Sequence, residues 1–142
     1  MSDLSVNSKG TLGLSKVISD LVSKGYEVFT PFSDHAPVDI IVCDENFIPK
    51  RIQVKYRKVE PGYKINIPRH SVVNQRKVGI NLDFIDGWAV YNPESDKVYY
   101  ISKEQKIMRF RLDSDVEKMN KKSSSVPLAS TLLDEKIFWR VN

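Results

Sequence analysis

Cysteine is nearly absent from the 142 residues. Cys43 stands alone, so an internal disulfide and a multi-cysteine zinc site are both excluded. Histidine is nearly as scarce, and the two present, His35 and His70, lie too far apart in sequence to argue for a shared zinc site. No apolar run approaches the roughly 20 residues that cross a bilayer. The opening Met1-Ser-Asp-Leu-Ser has no basic stretch leading into an apolar core, as a secretory signal would. These absences point to a reducing, cytoplasmic setting. Hydrophobic residues at 41% and charged residues at 28% exclude a disordered or collagen-like chain, and the length suits a single domain over 1–142.

Charge is present but uneven. Between Lys50 and Lys77 stand nine of the 22 Lys and Arg residues and one of the 18 acids, Glu60. The rest of the chain is mildly acidic. Such a segment either forms a positive face for a phosphate backbone or anionic surface, or is a solvated Lys-rich surface without a partner. Arg51, Arg57, Lys58, Lys64, Arg69, Arg76 and Lys77 are the candidates for phosphate contact.

Leu14, Val17, Ile18 and Leu21 recur at i, i+3, i+4, i+7 and predict an amphipathic helix over 12–24, with Thr11 as N-cap and Gly25 as stop. Leu14 belongs to its core stripe. Strands are expected over 26–32 and over Val38-Asp39-Ile40-Ile41-Val42-Cys43, the latter nearly all apolar and so a central strand covered on both faces. Asp39 is its one charged member, and an ionised Asp entering a buried strand is costly unless paired or metal-bound. After the turn Asp44-Glu45-Asn46, residues 50–58 alternate: Ile52, Val54 and Tyr56 point one way, Arg51, Gln53, Lys55 and Arg57 the other. Beyond them, 63–67 reads as a further strand, 71–81 as a polar loop or short helix, and 84–92 with 97–102 as a hairpin. Lys121-Lys122-Ser123-Ser124-Ser125 reads as a flexible connector. The apolar tail 136–141 is expected to dock as a last strand, with Trp88 and Trp139 in the core and Cys43 a small buried hydrophobe.

Asp39 and Gln53 are fourteen residues apart, a separation that a tight hairpin closes, and Gln53 and Lys55 share a strand face. If Asp39 lies on that face, a carboxylate, an amide and an ammonium converge. Carboxylate and carbonyl oxygens hold a hard cation, and an amine positions or deprotonates an attacking water.

Together, Pro37-Val38-Asp39 and Gln53-Val54-Lys55, with the flanking Lys9-Gly10, Gly13, Gly25-Tyr26, Pro31, Arg51-Ile52, Tyr56 and Asp86-Gly87-Trp88-Ala89-Val90-Tyr91, resemble the PD-(D/E)xK nuclease superfamily. The resemblance is closest to its group I intron homing endonucleases, with a Gln-x-Lys version of the motif. It implies an α/β, restriction-endonuclease-like core, a mixed central sheet flanked by helices, and cleavage of double-stranded DNA with Mg²⁺, Mn²⁺ being a possible substitute. It further implies that Asp39 is the metal-binding carboxylate, that Gln53 offers its amide oxygen and Val54 its backbone carbonyl, and that Lys55 is the catalytic lysine. Members often carry Glu directly after the helix-opening Gly. Here that position, after Gly13, is Leu14, so Asp39 is the only carboxylate in the matched motif. Either Asp34 in the preceding loop substitutes, or the phosphate oxygens of bound DNA complete the metal site, or the protein binds DNA and cuts slowly or not at all.

Such a small domain offers too little surface to read a long target, so a homo-oligomer, dimer or tetramer, is expected inside a bacterial or phage-infected cell. Two alternatives stay open: a Holliday-junction resolvase or repair or restriction nuclease on the same fold, and a non-catalytic DNA-binding protein that keeps the scaffold.

Overall fold

In this computed structural model the protein is described over residues 3–67, 70–73, 76–116, 118 and 126–140, with the side chains of 70–73 and 76–78 outside the description. The first helix, α1, runs Val6–Ser23, starting more than a turn before the expected Leu12. Ser5 is the N-cap in place of Thr11: Ser5 Oγ accepts from the Ser8 N–H at 3.1 Å, satisfying a donor the helix cannot. The Thr11 hydroxyl donates to the Asn7 carbonyl within the helix. The added turns are mostly polar and exposed, so they carry no apolar period to read. At the other end Gly25 has φ 93°, the left-handed conformation in which helices commonly stop.

In chain order the strands are β1 (Glu27–Phe29), β2 (Ile40–Cys43), β3 (Pro49–Tyr56), β4 (Ile65–Asn66), β5 (His70–Val73), β6 (Arg76–Gly79), β7 (Gly87–Asn92), β8 (Lys97–Ser102) and β9 (Arg109–Phe110). Five of them form one mixed sheet in the order β1-β2-β3-β7-β8. β3 and β7 are parallel and the other neighbours antiparallel. Ile52, Val54 and Tyr56 face α1, joining Val17, Leu21, Ile40, Val42 and Tyr100 in one apolar cluster, against which Leu14 also packs. A second cluster, with Trp88, Val90, Ile101, Ile65 and Phe110, covers the opposite face. The alternation of β3 therefore puts Gln53 and Lys55 on the face away from α1. Helix and strand cross tightly: a Cβ at Gly13 would stand 3.3 Å from the Tyr56 Cβ.

Several expectations are corrected. Among the described residues of 71–81 there are strands in place of a loop or helix: β5 and β6 pair antiparallel, their Val72, Val73 and Val78 suiting extended backbone. The tail docks, but as a 3₁₀ turn over Glu135–Trp139 rather than a strand. Asp134 caps it by accepting from the Lys136 N–H at 3.0 Å. Phe138 is buried, while Trp139 is only half-buried and stacks on Tyr26, ring centroids 5.1 Å apart. β1 is shorter than the 26–32 expected. Trp88 and Cys43 are buried as expected. The expected connector at 121–125 lies outside the described residues.

Candidate active site

Asp39 stands one residue ahead of β2. Its N–H donates to the Ile52 carbonyl at 3.1 Å, although Ile40 already pairs with Ile52. Two residues thus address one, the count of a β-bulge, and Asp39 leaves the regular pleat. Its carboxylate turns along the sheet edge, where Oδ2 accepts from the Val54 N–H at 2.7 Å. The expected desolvation cost is corrected here: Asp39 is exposed at the head of the strand. Hydration and the Val54 bond stabilise its charge, and Oδ1 has no protein donor among the described residues.

Gln53 sits beside it, buried at 9% exposure. Its Nε2 donates to the Pro37 carbonyl at 3.1 Å, tying β3 to the loop that delivers Asp39. A carbonyl can only accept, so this bond fixes which way the amide points. Gln53 Oε1 is left buried with no hydrogen-bond partner among the described residues. A buried polar atom without a partner costs about 1–3 kcal/mol and is rare enough to call for an external one.

Val54 supplies a third oxygen. In an extended strand a residue's N–H and C=O point to the same side. Arg51 and Arg57 direct theirs toward β7, with Arg51 O accepting from Asp86 and Arg57 N–H donating to Tyr91 O. Val54, of the opposite parity, therefore turns its carbonyl to the Asp39 side, beyond the end of β2.

Lys55 completes the group. Burial pushes its pKa below the ordinary lysine value; the Asp39 charge opposes this and Arg57 adds to it. The amine is thus easier to deprotonate than a surface lysine, as proton transfer requires. Asp39, Gln53 and Lys55 thus lie near one another: Gln53 ties to the loop that carries Asp39, and Lys55 feels the Asp39 charge. Asp34 and His35 lie in an exposed loop.

Among the described residues no three Asp, Glu, His or Cys side chains gather where a cation could be held. The available set is one carboxylate, the orphaned Gln53 amide oxygen and the Val54 carbonyl. All are hard oxygen donors, and they fit Mg²⁺ or Mn²⁺ completed by water and phosphate oxygens.

The basic residues divide. Arg51 is engaged within the protein while its side chain stays 40% exposed: Nε meets Asp86 Oδ2 at 3.2 Å and Nη1 donates to the Asp83 carbonyl at 2.9 Å. Arg57 and Lys58 leave the end of β3 and line an open groove together with Lys55, Lys9 and Gly10. Lys64 lies in the turn whose main chain pairs with Glu60. Arg69 and the side chains of Arg76 and Lys77 lie outside the described residues. Sequence reasoning missed Asp86 as the partner of Arg51, since nothing local links positions 35 apart. It used Lys9 and Gly10 only for the family resemblance, because the expected helix began at residue 12 and left Gly10 outside it.

A mixed sheet with α1 packed on one face, and with Asp39 at the head of β2 beside the Gln53-Val54-Lys55 of β3, suits a nuclease of the restriction-endonuclease-like fold. The chain belongs to the PD-(D/E)XK endonuclease family, which it matches over residues 4–130. Its fold is similar to that of a bacterial homing endonuclease, I-Ssp6803I, with a TM-score of 0.66 at 15% identity over 91% of this chain and 88% of that one. No curated protein matches the sequence.

Proposed function

We propose that this endonuclease hydrolyses phosphodiester bonds of double-stranded DNA with Mg²⁺ (Mn²⁺ as substitute), acting as a homing-type enzyme like the one it resembles in fold. The observation that carries this reading is the orphaned Gln53 Oε1, buried beside the Asp39 carboxylate on the strand that bears Lys55. In this reading Asp39, Gln53 Oε1 and the Val54 carbonyl hold the cation. When bound, it supplies Lewis-acid polarisation of the phosphoryl group and neutralises developing charge.

The chain's own residues do the rest. The Val54 N–H fixes the Asp39 carboxylate, and Pro37 fixes the Gln53 amide, so neither needs reordering when substrate arrives. Lys55, with its lowered pKa, orients the attacking water and takes its proton. Water adds across one P–O ester bond, leaving a phosphate monoester and a hydroxyl.

The enzyme acts as a homo-oligomer, a dimer or tetramer, because cutting both strands symmetrically calls for two such sites. The setting is cytoplasmic; among the described residues no helix is long and apolar enough to cross a membrane. The rival reading, a DNA-binding protein that does not cut, rests on the single carboxylate of the site. Supercoiled plasmid separates them: nicking in Mg²⁺ or Mn²⁺ and none in chelator is expected, and no nicking in either metal would overturn the proposal. Faster cleavage of a four-way junction than of a linear duplex would instead favour a resolvase.

A further inference from the structure

An open groove of about 510 Å³ lies between the N-terminal half of α1 and the end of β3, lined by Val6, Lys9, Gly10, Lys55, Arg57 and Lys58, among others. Lys55 also lines this groove, which places the groove next to the candidate active site. We propose that the groove seats the stretch of DNA backbone next to the scissile phosphate. In it Lys9, Arg57 and Lys58 supply charge, and Gly10 lets the sugar-phosphate strand lie directly against the helix. The inference rests on cleavage at Asp39, Gln53 and Lys55.

Gly10 carries the argument. Glycine inside a helix is destabilising relative to alanine. At Gly13 an internal contact accounts for it, since a side chain there would press on Tyr56. At Gly10 a Cβ would meet nothing within 4 Å, so packing within the described protein does not ask for the missing side chain. Space left open in a cationic groove suits the close approach of an external backbone.

The charges agree. Arg57 Nε is buried with no hydrogen-bond partner among the described residues; burial pushes its pKa down and the nearby Glu60 charge only partly offsets this, so an incoming anion would satisfy it. Lys9 has no acidic partner among the described residues. Lys58 pairs with Asp3 at 3.7 Å, but both side chains are exposed, and such pairs are weak and readily exchanged for a phosphate. The one acid on the rim, Glu60, accepts from the Asn66 side-chain amide.

The test uses the full chain, a fluorescent 30-base-pair duplex without metal for binding, and supercoiled plasmid with Mg²⁺ for cutting. Gly10→Ala is expected to raise Tm by about 3 °C while weakening duplex binding severalfold. Gly10→Leu, with open space to fill, is expected to fold and to lose roughly tenfold or more in binding and nicking. Lys9→Gln and Lys58→Gln each lower the slope of log Kd against log salt by about 1. A folded Gly10→Leu variant that binds and nicks like the wild type would overturn the inference while leaving the proposed function intact. Wild type that binds the duplex but never nicks would overturn the proposed function, and the binding arms would still decide the groove. Wild type that does not bind the duplex overturns both.

Discussion

Substituting Gln53 separates a cation ligand from a merely buried amide. In Gln53→Glu the donor to the Pro37 carbonyl, 3.1 Å away, becomes an acceptor. One hydrogen bond of about 1 kcal/mol is lost, and two acceptors are left facing each other. A carboxylate also enters a position only 9% exposed, which adds a further penalty of about 2 kcal/mol without metal. Together these lower the metal-free Tm by roughly 10 °C for a chain of this size. Gln53→Leu loses the same donor, but Pro37 is exposed and water replaces it. The orphaned Oε1 also disappears, so metal-free stability stays near or above that of the wild type. Adding Mg²⁺ at a hundredfold excess over Kd stabilises by about 2.7 kcal/mol where binding occurs. The Tm rise is therefore expected to be largest for Gln53→Glu, smaller for wild type and absent for Gln53→Leu, measured by thermal unfolding at pH 8. Equal shifts in all three proteins, or a Gln53→Leu variant as unstable as Gln53→Glu without metal, would refute the placement of a cation at this oxygen.

Two further outcomes follow from the charges around β3. Arg51→Met breaks a pair whose side chains are 40% and 23% exposed, at a cost of about 1–2 kcal/mol, and leaves duplex affinity unchanged within about twofold. Burial raises the Asp86 pKa, but the hydrogen bonds and charge of Arg51 outweigh it and hold that carboxyl below the usual range. The wild-type advantage is thus fully present above pH about 4 and is lost as acid protonates Asp86; calorimetric unfolding from pH 2 to 7 measures it, and a tenfold loss of affinity would restore Arg51 as a phosphate contact. Lys55→Met removes a half-buried amine whose folded-state pKa lies below its unfolded value. Between those values the unfolded chain binds more protons, so wild-type stability rises with pH. The variant is expected to be more stable at pH 7, with a margin that shrinks toward pH 10; a less stable variant at pH 7 would contradict the lowered pKa.

Much of the site was legible because its geometry is local. The alternation of 50–58 assigns β3 and its faces, and the short hairpin brings Asp39 against Ile52 and Val54 of that strand. What escaped depends on contacts that sequence does not display. Arg51 reads as a free cation until Asp86, 35 residues on, is folded against it. The first turns of α1 carry solvent-facing polar residues, so amphipathic periodicity begins too late. The tail has the composition of a strand, but Asp134 caps a 3₁₀ turn and Phe138 finds the core from it. The orphaned oxygen of Gln53 exists only because Pro37 claims the other end of the same amide.

The most direct test is cleavage and binding measured together for wild type, Asp39→Asn and Lys55→Ala. Single-turnover nicking in Mg²⁺ is expected to fall at least about a hundredfold in both variants, while duplex Kd without metal changes less than about threefold. Nicking by either variant at the wild-type rate would contradict a catalytic centre built on Asp39 and Lys55.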